Sequence, residues 1–458
     1  MSAILPRMTV VSRTLLVMVF VARSLSAGLP YLLKDINPST RASSDPLLLQ
    51  TIGNTSYFLA DDGSHGLELW KTDSTESGTQ LVKDINPGIA PGVKKDRSAY
   101  AFRGRLIFSA LNVPDMQVWI TDGSESGTTM LTDMHPATPL GFNAFLIGAT
   151  NDAAYFIGSS TPGGGELWRT DGTVAGTRMV VDLHVRSGTF PFGFGTIGNS
   201  VVFFATTATR SGLFISDGTA EGTRTLGGGG GVAGHVPFGN GLVFAAFEDA
   251  NTFGIYRTEG TIESITRLHG GFKVDPNRAF EPFVLASLGN FVYFTGDDGV
   301  HGRQLWRTDG TVDGTAIVAV PGPGSVQAGS VATVGDNVFF LARSGSVDQL
   351  WKSDGTAAGT KLVKDGLANA YGGFAWHGAF YFACNDGLHG TEPWISDGTT
   401  SGTQMLHDIN PGMGSSNPFQ YFDGGNVLYF SADDGLHGME LWAYSNVTAP
   451  VRRRAARP

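Results

Sequence analysis

Four short phrases carry most of the candidate chemistry in this chain: ADDGSHG (60–66), GDDGVHG (296–302), CNDGLHG (384–390) and ADDGLHG (432–438). Each sets acidic or amide side chains beside a histidine. Carboxylate oxygens at loop ends suit Ca²⁺, and an added imidazole suits a transition metal. The candidate ligands are Asp61, Asp62 and His65, then Asp297, Asp298 and His301, then Asp433, Asp434 and His437. Calcium is therefore the one cofactor to consider. The competing reading is turn chemistry, because Asp-Gly is an ordinary tight-turn signal and His can cap a neighbouring carbonyl. The phrases also lack the D-x-D-x-D-G spacing of strong calcium loops.

Other chemistry is thin. The chain has no G-x-S-x-G, no H-E-x-x-H and no P-loop, and so no catalytic residue is assigned. The single cysteine, Cys384, can form no intrachain disulfide and reads as a small buried hydrophobe. Trp376, in GGFAWHGAF, falls where repeated segments are least alike and is the candidate ligand-binding aromatic, near a central channel.

The elements that must position these residues are repeats. The aromatic of an ELW-like phrase recurs at Trp70, Trp119, Trp168, Phe214, Tyr256, Trp306, Trp351, Trp394 and Trp442. Upstream of each lies an apolar pair ending in Phe: Phe58, Phe108, Phe156, Phe204, Phe244, Phe294, Phe340, Phe382 and Phe430. Both markers count nine units. Each unit reads as four short strands, as in FNAFLIG, AAYFIGS, GELWRT and TRMVVDL within residues 142–183. Apolar residues on both strand faces mean that each sheet is covered on both sides. The predicted fold is all-β: a β-propeller of about nine four-stranded blades. The last unit stops after ELWAYS, and YLLKDINP (31–38) matches QLVKDINP (80–87), so the N-terminal strand is expected to complete the last blade and close the ring. Two arcs or two smaller propellers are the alternative.

The D-G-T-x-x-G-T stretch after each third strand reads as a hairpin device that fixes register. Its Asp accepts turn N–H groups, its glycines take positive φ, and its last Thr is expected to bond back to the Asp. Unit five departs, with TEGTIESIT (258–266), and a looser turn is expected there. Because strands alternate in direction, the D-D-G-x-H-G loops and the K-D-I-N-P-G connections share one face. That face gathers Asp35, Asn37, Asp84, Asn86, Asp408 and Asn410 beside the histidine loops. The ELW aromatics are read as packing between blades.

At these residues the chain resembles the ELWxxDGT repeat family of secreted bacterial proteins. ELWKTDST, ELWRTDGT, QLWRTDGT, QLWKSDGT and EPWISDGT carry the likeness, which spans about residues 29–445. LFISDGT and IYRTEGT depart most. The resemblance implies an exported, β-propeller-like protein and brings no catalytic residues with it.

The ends agree with export. Arg7 and Arg13, the apolar TLLVMVFVA and the small residues of RSLSAG follow the order of a secretory signal, assigned to 1–27. The repeat domain is 28–446, and 447–458 is a basic tail expected to be disordered. Of the 31 Lys and Arg, seven lie in those two end segments, which hold no acid, so the body carries 24 basic against 41 acidic residues, net −17. That charge argues against a nucleic-acid partner. A monomer without an integral membrane segment in the mature chain is expected. Export and repetition without catalytic signatures point to an extracellular binding or adhesion scaffold, not an enzyme, with a surface glycan, matrix component or protein as partner. The alternatives are a propeller-based carbohydrate-active enzyme and a purely structural disc.

Overall fold

The computed structural model describes residues 28–446 apart from 97–98, 135–141, 162–163, 186–191, 208, 210, 228–230, 275–284, 319–324 and 327–330. The leader assigned to 1–27 and the basic tail at 447–458 lie outside the described residues. Every described regular element is a strand, and all strand pairings within the sheets are antiparallel. Among the described residues no helix is long and apolar enough to cross a membrane.

Among the described residues there are seven four-stranded sheets and one of eight strands. Unit one shows the pattern: Leu47–Ile52, Thr55–Asp61, Leu67–Thr72 and Gln80–Lys83, paired in that order. The larger sheet joins units seven and eight through one long strand, Lys361–Trp376. Its start pairs with the third strand of unit seven, and its end opens unit eight by pairing with Ala379–Asn385. Unit nine has three strands of its own, Phe419–Asp423, Leu428–Asp433 and Met439–Tyr444. Its fourth is Tyr31–Lys34, with Tyr31 opposite Ala443 and Leu32 opposite Trp442, as the matching of the two KDINP phrases predicts.

The buried side chains form nine clusters, each shared by successive units. One of them joins Val427, Tyr429 and Leu441 of unit nine to Leu48, Phe58 and Trp70 of unit one. The first strand of each unit runs beside that of the next, and that of unit nine beside that of unit one. The ELW tryptophans are core: Trp70, Trp168, Trp306, Trp351, Trp394 and Trp442 are all buried. Both strand faces are apolar because each sheet has a neighbour on either side.

The D-G-T hairpin is built as a chain of hydroxyls. Asp73 Oδ1 accepts Thr75 N–H (3.0 Å) and the Thr75 hydroxyl (2.6 Å), and Thr75 Oγ1 accepts Gly78 N–H (2.9 Å). The closing Thr79 bonds not to the Asp but to Thr72 Oγ1 (2.8 Å) and Thr75 O (2.7 Å). In unit five Ser264 takes over: its Oγ accepts Glu259 N–H and Thr261 N–H, and the turn keeps its shape. The predicted loosening shows in two contacts, Thr258 to Ser264 and Ser264 N–H to Thr261 Oγ1, both at 3.2 Å, and in the Glu259 carboxylate turning to Arg257. The glycine of D-G-T has positive φ, +90° at Gly123, and the Tyr57 hydroxyl packs so close that a side chain would collide with it. Unit one places Ser74 there at φ +74°, and its hydroxyl meets Tyr429 Oη at 2.6 Å.

Gly28 lies against the Ser445 carbonyl, and the Ser445 hydroxyl donates to Asn426 O at 3.2 Å. Both ends of the described chain therefore leave beside the hairpin between the first two strands of unit nine.

Candidate functional site

The D-D-G-x-H-G loops are self-contained turns. In unit one Asp61 Oδ1 accepts Gly63 N–H (2.8 Å), Asp62 Oδ1 accepts the N–H groups of Ser64 and His65 (2.8 Å each), and Asp62 Oδ2 meets His65 Nδ1 at 2.7 Å. Units six and nine repeat this with Asp297, Asp298 and His301, and with Asp433, Asp434 and His437; the imidazole–carboxylate distance is 2.7 Å in both. Unit eight substitutes Asn385 for the first Asp. Burial alone would raise Asp298, but hydrogen bonds from the His301 backbone and ring and from Val300 outweigh it and bring it to about 2. The bond to Asp62 raises His65, and the bond to Asp434 raises His437.

The candidate ligands are thus each committed within their own turn. Among the described residues no group of three or more His, Cys, Asp or Glu side chains is placed to hold a metal ion.

Beneath these loops lies a second arrangement, which the sequence reading did not single out. The Glu of the ELW phrase is fully buried and grips the connection to the next unit. Glu440 accepts Ile36 N–H (3.2 Å), Ser44 N–H (2.9 Å) and the Ser44 hydroxyl (2.6 Å). Glu392 does the same with Ile409 N–H (2.8 Å), Ser416 N–H (2.9 Å) and the Ser416 hydroxyl (2.7 Å). The gripped residue reaches forward as well: Ser44 O accepts Asp61 N–H (3.0 Å) and Ser416 O accepts Asp433 N–H (2.9 Å), each in the following unit. One residue is thereby pinned from both sides. In unit one the equivalent residue is Gly92, which has no hydroxyl. Glu68 Oε1 still accepts Asn86 N–H (3.2 Å), but Oε2 is buried without a partner. Burial pushes Glu68 and Glu440 up to about 7.

Trp376 is not an open aromatic. It is 3 % exposed, stacks on His377 at 4.0 Å, and donates its indole N–H to Asp423 Oδ1 (3.0 Å) and Gly425 O (3.2 Å). It packs between units eight and nine at the hairpin end, away from the histidine loops. Cys384 is buried, and burial pushes its thiol up to about 12, which removes it as a nucleophile.

The exposed aromatics are elsewhere. Of the described rings only Tyr31, Tyr371 and Phe419 stand out as exposed, the last two at 37 % each. Tyr371 pairs with Ala383 in unit eight and Phe419 with Ser431 in unit nine, which are equivalent register positions on neighbouring first strands. Both lie at the strand end nearest the histidine loops. Each strand carries a bulge just beyond the ring, between Tyr371 and Phe374 and between Phe419 and Phe422. Asn369, Asn417 and Gln420 hold φ of +49°, +46° and +56°. Positive φ at non-glycine residues marks backbone held by its surroundings. Gln420 Oε1 is buried and has no partner. Burial, then the charge of Glu392, pushes the Tyr371 hydroxyl up to about 12. The paired Gly372 and Gly373 next to Tyr371 were the sequence signal for this bulge.

No protein-family model and no curated protein matches the chain. Solved structures resemble it in fold. A puromycin hydrolase is 14 % identical with a TM-score of 0.40, over 78 % of this chain and 60 % of that one. A puromycin-hydrolyzing peptidase of Mycobacterium tuberculosis is 11 % identical with a TM-score of 0.46, over 89 % and 61 %. An oligogalacturonate lyase in complex with manganese is 12 % identical with a TM-score of 0.36, over 74 % and 85 %. The chain spans about 60 % of the length of the first of these. All three are named as enzymes, which runs against the sequence-based expectation of a binding or adhesion scaffold that is not an enzyme; the likeness itself is one of fold.

Proposed function

We propose that the chain is an exported ELWxxDGT repeat protein, folded as a single ring of nine blades, that acts as an enzyme on an extracellular polymer at the axis end near the histidine loops. The order of basic, apolar and small residues in 1–27 supports export. The succession of first strands, with unit nine beside unit one, and the sheet shared by Tyr31–Lys34 and Met439–Tyr444 support one ring. The activity class proposed is bond cleavage, the kind after which the solved enzymes are named. The observation that carries the site is the pair Tyr371 and Phe419, both exposed at equivalent register positions on neighbouring first strands. Exposed rings beside a few polar groups at the mouth of a rigid scaffold are the usual makings of a substrate site.

The test is turnover by the purified mature chain on fluorogenic peptides, aminoacyl amides and a polysaccharide panel. Cleavage of at least one substrate, lost in Tyr371→Ala/Phe419→Ala while the melting temperature holds, supports the reading. A folded chain that cleaves nothing on the panel refutes it.

A further inference from the structure

We infer that the axis end at units eight and nine is a subsite for a neutral carbohydrate, with Tyr371 and Phe419 as stacking platforms and the exposed amides of Asn369 and Asn417 as hydroxyl partners. The inference rests on the location given in the proposed function but not on cleavage there.

Two features converge. The two rings occupy equivalent register positions, so they repeat with the spacing of the blades and present two platforms to successive sugar rings. Aromatic side chains offer such area at little entropic cost. Next, Asn369 and Asn417, each two residues before one of the rings, are exposed amides on left-handed backbone. A carboxamide offers one acceptor and two donors, which matches a sugar hydroxyl that both donates and accepts. The nearby Glu392 is committed to Ile409 and Ser416.

Charge narrows the class. The body carries 41 acidic against 24 basic residues, and a polyanionic chain would approach against that field. A peptide would bring charged ends or side chains that these amides and rings do not counter. A neutral hexose or pentose polymer meets neither penalty.

The experiment is isothermal titration of the mature chain with cellohexaose, mannohexaose and xylohexaose, with oligogalacturonate and a proline-rich peptide as controls. The expected result is saturable binding of at least one neutral hexasaccharide. Tyr371→Ala and Phe419→Ala should each weaken it at least tenfold, Asn417→Gly severalfold, and Phe419→Tyr little. The conservative variant guards against loss of fold. Absence of binding by any neutral oligosaccharide overturns the inference, as does equal affinity in the alanine variants or a preference for oligogalacturonate or the peptide. Saccharide binding without cleavage overturns the activity reading and leaves this one standing. Peptide cleavage without saccharide affinity does the reverse.

Discussion

Glu440→Gln should change how stability depends on pH, not merely lower it. Glu440 is buried, holds Ile36 and Ser44, and has its ionisation raised from 4.5 to about 7 by burial. The folded state then binds a proton that the unfolded chain has released. Stability from this group is fully present below pH 4.5 and is lost as pH rises through 7. The shift amounts to about 3 kcal/mol at about 1.4 kcal/mol per unit, of which roughly 2 to 3 kcal/mol falls between pH 5 and pH 8. His437 is raised chiefly by its bond to Asp434, which the variant keeps; the Glu440 charge is the last of its causes, so its loss alters His437 only as a minor part of the comparison. Glutamine keeps one acceptor and does not titrate, and it leaves one buried N–H unpaired, at about 1–3 kcal/mol. The variant should therefore be less stable than the parent at pH 5 and should draw level with it, or pass it, at pH 8. Urea unfolding at both pH values, followed by tryptophan fluorescence, measures this. A stability difference that stays constant from pH 5 to pH 8 refutes the assignment of a titrating, buried Glu440.

The same grip predicts that Gly92→Ser, by restoring the hydroxyl present at Ser44 and Ser416, stabilises by about 1 kcal/mol, while Ser416→Gly loses about 1–3 kcal/mol. Glu68 must shift to admit the new side chain, and failure of Gly92→Ser to raise the urea midpoint would show that it cannot. Cys384 should resist thiol reagents at pH 8 and react only in denaturant, because burial pushes the thiol up to about 12; fast labelling of the native chain would contradict its placement. Calcium and chelator should leave the melting temperature unmoved, since Asp62, Asp298 and Asp434 already bond within their own turns. A clear rise with calcium would return those loops to metal chemistry.

The architecture was legible because each unit repeats its markers. ELW, D-G-T and KDINP recur at fixed offsets, and periodicity alone placed Tyr31–Lys34 in the sheet of Met439–Tyr444. The turn reading of D-D-G-x-H-G was also accessible, since it needs only local geometry. The grip of Glu440 on Ser44 was not, because its partners stand 396 positions apart and the carboxylate looks like any acid of a repeat. Trp376 misled for a related reason: a tryptophan in a variable first strand invites a ligand reading, whereas its position relative to the bulge decides whether it faces the next unit. Tyr371 and Phe419 became visible only when register showed them to be equivalent. The merging of units seven and eight through Lys361–Trp376 was hidden because Asp365-Gly366 and Gly372-Gly373 read as breaks, whereas one strand runs through them.

The meeting of Gly28 and Ser445 at the hairpin end of unit nine fixes how the molecule can be displayed. A linker joined directly at Gly28 or at Ser445 starts from that one side, and the histidine loops, Tyr371 and Phe419 lie at the other end of the strands.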